Sequence, residues 1–349
     1  MLFASDNWAG AHPAIASSLV EHAAGYASAY GTGALDQAVD RKFSEIFERD
    51  VAVFFVATGT AANSLSLASV AKPGGIVFCH RESHVIEDEC GAPELLSGGL
   101  RLFPVDGPRG KIEPDALKAA IGRFAPEFVH AGRAAALSLT QATEAGTVYT
   151  LDEIAGLADM ARGAGIPVHM DGARFANALA ALDCTPAEMT WKRGVDLLSF
   201  GGTKNGCWCA EAVVLFDPGR AKEFSFIRKR SAQLFSKARF ISAQFDAYFR
   251  DGLWLEIARG SNTMAQRLAA TFRASRNARL AWEPQANEVF AILKRTAAER
   301  ARHQGAVFYD WHPPHNLAAD IGPDEQLFRF VTSFATTEAD VDRFAAAIG

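Results

Sequence analysis

Through its first two-thirds the chain alternates short apolar, β-branched runs with longer stretches of helical periodicity. That rhythm restricts it to a mostly parallel sheet with helices on both faces, because parallel neighbours need a crossover between them. Residues 34–49 place Leu35, Val39, Phe43, Ile46 and Phe47 at helical spacing. Residues 51–57 form an apolar run short enough for one buried strand, and Thr58-Gly59-Thr60 then opens a helix through Val70. The pattern predicts further strands over 76–79, 127–130, 135–139, 166–170 and 195–200. Thr150 followed by Glu153 predicts a capping box for a helix over 151–162. The last third changes character. A helix over 253–276 leads into strands over 287–294, 306–311 and 327–334, with helices over 296–304 and 337–348. For 349 residues this predicts a large domain over 1–250 and a small α+β domain over 251–349. The first 25 or so residues could pack with either.

A net charge of -5 argues against nucleic acid or an anionic membrane surface as partner. The start, Met1-Leu2-Phe3-Ala4-Ser5-Asp6, lacks the basic and apolar blocks of a signal peptide, and no run is long enough for a membrane helix. Five cysteines, at 79, 90, 184, 207 and 209, match no disulfide framework, which fits the cytoplasm. Cys207-Trp208-Cys209, read on a strand, puts two thiols on one face. No second Cys/His pair has the spacing of a metal site, so no metal is expected.

Two strand ends carry the chemistry. Ile166-Pro167-Val168-His169-Met170 delivers Asp171, and Asp196-Leu197-Leu198-Ser199-Phe200, through Gly201-Gly202-Thr203, delivers Lys204. Ligands of open parallel sheets sit beyond the carboxyl ends of the strands. A carboxylate and an amine there suit pyridoxal 5'-phosphate, whose ring nitrogen needs a nearby negative charge and whose aldehyde needs a lysine. An ordinary strand-end ion pair would look the same, but a third feature favours the cofactor. Thr58-Gly59-Thr60-Ala61-Ala62-Asn63 is a strand-to-helix turn with small residues, a natural phosphate cup. It lacks the longer glycine fingerprint of dinucleotide sites, which disfavours a nucleotide-dependent oxidoreductase. His84, just beyond a strand, could stack on a pyridine ring or move protons, whereas His80 reads as a solvated loop residue.

Together these segments resemble the low-specificity L-threonine aldolases and the similar phenylserine aldolases. The resemblance rests on Ser5-Asp6-Asn7, Ala29-Tyr30-Gly31, Thr58 to Asn63, His84 with Glu89-Cys90-Gly91-Ala92, Ser138 to Glu144, His169 to Arg174, Gly201 to Gly206 and Phe328-Arg329-Phe330-Val331. It covers essentially the whole chain. It implies an aspartate-aminotransferase-like, fold-type I enzyme with a seven-stranded large-domain sheet. The implied reaction is retro-aldol cleavage of threonine, allo-threonine or phenylserine to glycine and an aldehyde. By the same resemblance Lys204 would hold pyridoxal phosphate as a Schiff base, Asp171 would pair with its ring nitrogen, and Gly59 and Thr60 would bind its phosphate. His84 would stack on the ring and help move protons. Arg329, helped by Ser5 and Arg174, would hold the substrate carboxylate. Tyr30 would reach a neighbouring subunit's site in a homotetramer built as a dimer of dimers. Arg329 sits between Phe328 and Phe330 and so points to the opposite face of its strand. Two departures stand out. Many relatives carry a histidine in the segment that reads Gln141-Ala142-Thr143-Glu144 here, and no one residue among Arg228, Lys229, Arg230 and Lys237 can be chosen as the ligand of the partner subunit's phosphate that the resemblance implies. Other reactions of the same cofactor (β-elimination, racemisation, transamination) remain alternatives. A non-enzymatic amino-acid-binding regulator would need an additional nucleic-acid-binding domain, for which the chain has no spare length.

Overall fold

The computed structural model describes residues 1–70, 72–125, 127–313 and 320–349. Seven strands, β1 (Ala52–Val56), β2 (Gly75–His80), β3 (Arg101–Val105), β4 (Arg133–Thr140), β5 (Val168–Gly172), β6 (Leu197–Gly201) and β7 (Glu211–Leu215), form one sheet. Their order is β1-β7-β6-β5-β4-β2-β3. From β3 to β6 every pairing is parallel, while β7 runs antiparallel to both β6 and β1. β5 and β6 are buried at every position. Strands covered on both faces need no polar alternation, so both read as largely apolar runs, broken by the buried His169 and Ser199.

Register places Asp171 beside Thr140 on β4 and Ser199 on β6, so the carboxyl ends of three strands meet at one edge. Two residues before Asp171, His169 ties the same strands together. Its Nδ1 lies 2.9 Å from Ser138 Oγ and its Nε2 2.9 Å from Ser199 Oγ. Burial pushes this imidazole down to about 4, so it stays neutral.

The helix Ala34–Ile46 closes one face by burying Val39 and Phe43. Phe43 meets Phe200, Phe245 and Phe249 edge to face, at centroid separations of 5.0 to 5.3 Å. Full burial of such a ring contributes about 1.5–3 kcal/mol.

A second sheet holds β8 (Ala278–Leu280), β9 (Glu288–Lys294), β10 (Tyr309–Asp310) and β11 (Glu325–Val331), in the order β10-β11-β9-β8 and antiparallel throughout. The helix Leu253–Ala274 joins the two parts. Trp254 and Ala258 near its start pack in the large core, and Ala265 to Phe272 pack in the small one. The N-terminal segment divides in the same way. Phe3 donates its N–H to Val307 O and accepts from Val331 N–H, both at 2.8 Å, whereas Ile15 lies in the large core.

Several sequence expectations are corrected. Residues 127–130 form turns rather than a strand, with Phe128 and Val129 exposed, because the apolar pair has no sheet neighbour among the described residues. Cys207-Trp208-Cys209 is a turn ahead of β7, so its thiols do not share a strand face. Only Tyr309–Asp310 of the segment 306–311 pairs as a strand. β3 and β7 escaped the sequence reading. His80 is buried rather than solvated, with Nε2 3.0 Å from Gly107 O and Nδ1 accepting the Glu82 N–H at 3.1 Å.

Candidate active site

The strand ends approach closely because of two glycines, Gly172 against Ser199 O and Gly201 against Ala173. A Cβ on Gly201 would stand 2.7 Å from Ala173 O and 2.8 Å from Ala173 Cα, inside any permissible contact. With glycine there, the turns after β5 and β6 pass, and Asp171 and Lys204 line the same cleft of about 290 Å³. Gly59, Thr60, Asn63 and His84 line it too.

Gly59 begins the helix Gly59–Val70 directly after β1. The Ala61 N–H goes to Thr58 Oγ1 at 3.1 Å and the Ala62 N–H to Thr58 O at 3.0 Å. The N–H groups of Gly59 and Thr60 are thus first-turn donors that the helix itself does not use, which makes an anion site.

One amide organises the acidic groups. Asn63 Nδ2 donates to Asp171 Oδ2 at 2.7 Å and to Glu89 Oε1 at 2.8 Å. The Ala173 N–H fixes Asp171 Oδ1 at 3.0 Å, so both carboxylate oxygens are oriented. Glu89 Oε1 also lies 3.2 Å from His84 Nδ1. With Nδ1–H donating to Glu89, the neutral ring keeps Nε2 as a proton acceptor. The Glu89 contact holds the His84 imidazole above its usual range despite partial burial. Burial raises Glu89 itself, which the contacts from His84 and Asn63 only partly offset. Glu144 accepts the His84 backbone N–H at 2.6 Å, and burial, reinforced by the Asp171 charge, pushes its carboxyl up to about 7. Glu211 also lines the cleft and accepts the Thr203 N–H at 3.2 Å; burial raises it to about 7 as well.

Arg174 does not reach into the cleft as a free cation. Its Nε and Nη2 donate to Asp6 at 2.8 and 3.1 Å, and its Nη1 lies 3.1 Å from Glu288 Oε2. Burial alone would raise Asp6, but the Arg174 and Lys204 charges hold it below the ordinary carboxylate range. Arg329 occupies the β11 face opposite Phe328 and Phe330, with its guanidinium 4.6 Å over the Trp311 ring. Ser5 caps the short turn Asp6–Trp8 by accepting the Asn7 N–H at 3.1 Å. Tyr30 is half exposed, outside the cleft of its own chain, with Lys229 Nζ 5.9 Å over its ring. Arg228 packs 5.1 Å over the Phe54 ring.

Sequence reasoning alone assigned no role to Asn63, Glu89, Glu211, Asp6 or Glu288. A signal existed for two of them. Glu211 heads Ala212-Val213-Val214-Leu215 and Glu288 heads Val289-Phe290-Ala291-Ile292-Leu293. A charge opening a buried strand needs a partner or a purpose.

These donors fit pyridoxal phosphate. The helix start suits its phosphate, the fixed Asp171 carboxylate its ring nitrogen, Lys204 its aldehyde, and the His84 ring its face. The buried Asn63 Oδ1 has no partner among the described residues. Fold and donor set together define a fold-type I pyridoxal-phosphate enzyme.

Comparison with known proteins narrows this class. The family model described as beta-eliminating lyase matches residues 3–296. The low-specificity L-threonine aldolase of Pseudomonas sp. (strain NCIMB 10558) is 38% identical over 347 residues, covering 99% of this chain and 96% of that protein. The Pseudomonas aeruginosa protein of the same name is 40% identical over 308 residues, 88% of each chain. The solved Leishmania major threonine aldolase superposes with a TM-score of 0.91 at 26% identity, covering 99% of this chain and 98% of its own. The chain belongs to the β-eliminating lyases and, within them, to the low-specificity L-threonine aldolase family.

Proposed function

We propose that this protein cleaves the Cα–Cβ bond of L-β-hydroxy-α-amino acids such as threonine, allo-threonine and phenylserine, releasing glycine and an aldehyde. The observation that carries the reading is one cleft holding the Lys204 amine, the doubly oriented Asp171 carboxylate and a His84 ring whose Nδ1 is taken by Glu89. Pyridoxal phosphate, when bound, supplies an electron sink conjugated to the substrate nitrogen. Lys204 would tether it, Asp171 would keep its ring nitrogen protonated, and Gly59 and Thr60 N–H would hold its phosphate. Arg329 anchors the substrate carboxylate, with Arg174 and Ser5 shaping that end of the cleft. His84 Nε2 takes the β-hydroxyl proton as the Cα–Cβ bond breaks. The bonding pair stays with Cα, and the oxygen forms the aldehyde carbonyl. Protonation of Cα completes glycine.

The reading includes a large part over 1–250 and a small part over 251–349, and a cytoplasmic homotetramer in which Tyr30 lines a neighbour's cleft. The exposed Trp8, Tyr30 and Trp208 support such an interface, and the five free cysteines support a reducing compartment. Among the described residues, no helix is long and apolar enough to cross a membrane.

The test is aldehyde release from both threonine diastereomers and from phenylserine, alongside Lys204→Ala and Asp171→Ala. Wild type yields glycine and aldehyde in equal amounts, and both variants lose turnover. Full activity in Lys204→Ala, or keto acid as product, sinks the proposal.

A further inference from the structure

The two arginines at the proposed carboxylate end already share an anion. Glu288, the first residue of β9, is wholly buried. Its Oε2 lies 3.1 Å from Arg174 Nη1 and its Oε1 4.0 Å from Arg329 Nη1. Neither Glu288 oxygen has a hydrogen-bond partner of good geometry among the described residues, and neither has the buried Arg329 Nε. Such a carboxylate is compensated by charge alone. A buried anion without directed hydrogen bonds is expensive, because its lost hydration is only partly replaced.

The neighbouring charges fix what happens when a ligand arrives. Asp6, reaching over from the N-terminal segment, faces Arg174, which follows β5. Arg329 comes from β11, and Lys204, after β6, bears on both carboxylates. Asp6, Glu288, Arg174 and Arg329 sum to zero. An α-carboxylate entering at Arg329 brings a third anion to two guanidiniums that flank a wholly buried carboxylate. One carboxylate must then be neutralised or the ligand expelled.

The two resident acids are not equivalent. Asp6 accepts the bidentate Arg174 pair and the Asn287 amide at 3.0 Å, and is held in its charged form. Glu288 has no comparable bonds, and burial outweighs both arginines to leave it easier to protonate than an ordinary glutamate. It also sits directly between the two cations.

We propose that Glu288 is the resident counter-ion of the substrate-carboxylate subsite and takes up one proton whenever a ligand carboxylate binds at Arg174 and Arg329. It is a positioning residue: without ligand it keeps the two guanidiniums together, and with ligand it becomes a neutral neighbour. The inference rests on the reading of Arg329 as the carboxylate anchor. Linkage then sets the pH response. Binding that requires a proton weakens as protons become scarce, so carboxylate affinity falls as pH rises, by up to about tenfold per pH unit.

The test uses the holoenzyme and acetate, which carries the carboxylate but no amine to react at the cofactor. The acetate Kd is measured calorimetrically from about pH 6 to about pH 9, where acetate itself stays ionised. Wild type should lose affinity steeply across that range. Glu288→Gln, nearly isosteric and unable to ionise, should bind acetate with a flat profile and more tightly than wild type at the alkaline end. Glu288→Ala is the second variant if the glutamine form folds poorly. Proton uptake on binding, read from the heats in two buffers of different ionisation enthalpy, should approach one per site in wild type. A flat wild-type profile overturns the proposal without any variant. So does a wild-type slope retained in either Glu288 variant. Arg329→Ala separates the two levels. If it still binds acetate normally, the anchor reading fails and takes this proposal with it. If it loses acetate while Glu288→Gln keeps the slope, only the role of Glu288 fails.

Discussion

Replacing Asn63 by alanine removes one amide but releases two carboxylates. In the wild-type cleft Nδ2 donates at 2.7 Å to Asp171 and at 2.8 Å to Glu89. A hydrogen bond to a charged group contributes about 1.5–3 kcal/mol, so two give a ceiling of about 3–6 kcal/mol. Water can enter an open cleft and recover part of that. The expected loss is therefore about 2–3 kcal/mol, or roughly 30- to 150-fold at 1.4 kcal/mol per tenfold. The loss should appear first as weaker cofactor retention, because Asp171 is then held by the Ala173 N–H alone. The measurement is titration of the apoprotein with pyridoxal phosphate, followed by cofactor absorbance, with circular dichroism confirming that the variant is folded. A folded Asn63→Ala protein with wild-type cofactor affinity and turnover would show that Asp171 does not need this orientation, and the reasoning about the bridge would be wrong.

Two further outcomes follow from the same geometry. Glu89→Gln removes the largest contribution that raises His84. A base acts only when unprotonated, so activity is lost as pH falls through the His84 value, and the acid limb of kcat/KM should move to lower pH in the variant. An unmoved limb would take His84 out of the base role. Gly201→Ala forces a methyl against the Ala173 backbone and should cost about 1–3 kcal/mol, read as a fall in Tm by calorimetry. An unchanged Tm would mean that the turns after β5 and β6 separate more freely than their contact distances imply.

What the sequence disclosed depended on how each element is buried. β5 and β6 were legible because both faces are covered, leaving largely apolar runs that stop on Asp171 and lead to Lys204. β3 was not, because it is an edge strand, largely half-buried, with Pro104 within it. Phe128 and Val129 mimic a strand locally, and only the absence of a neighbour shows otherwise. In the site, Gly59, Thr60, Asp171, Lys204 and His84 could be named from motifs because each belongs to a turn with its own local signature. Asn63 reaches Glu89 across 26 residues and Asp171 across 108, and Glu288 pairs with Arg174 and Arg329, which lie far from it along the chain. Such pairings exist only once the sheet has brought its strand ends together, so no window along the chain contains them.

The attachment of Phe3 to Val307 and Val331 has a consequence for the order in which the molecule can be completed. A ribosome releases the N-terminus first, yet residues 1–6 find their hydrogen-bonding edge only after nearly the whole polypeptide has emerged. Asp6 follows three residues behind Phe3, and the Asp6–Arg174 pair depends on that placement. The large sheet can assemble during synthesis, since β1 to β7 end at Leu215. The cluster that surrounds Arg174 cannot. On the proposed reading, the strand ends that would cradle the cofactor can form ahead of the Asp6–Arg174 pair, which needs the late-made edge at Val307 and Val331.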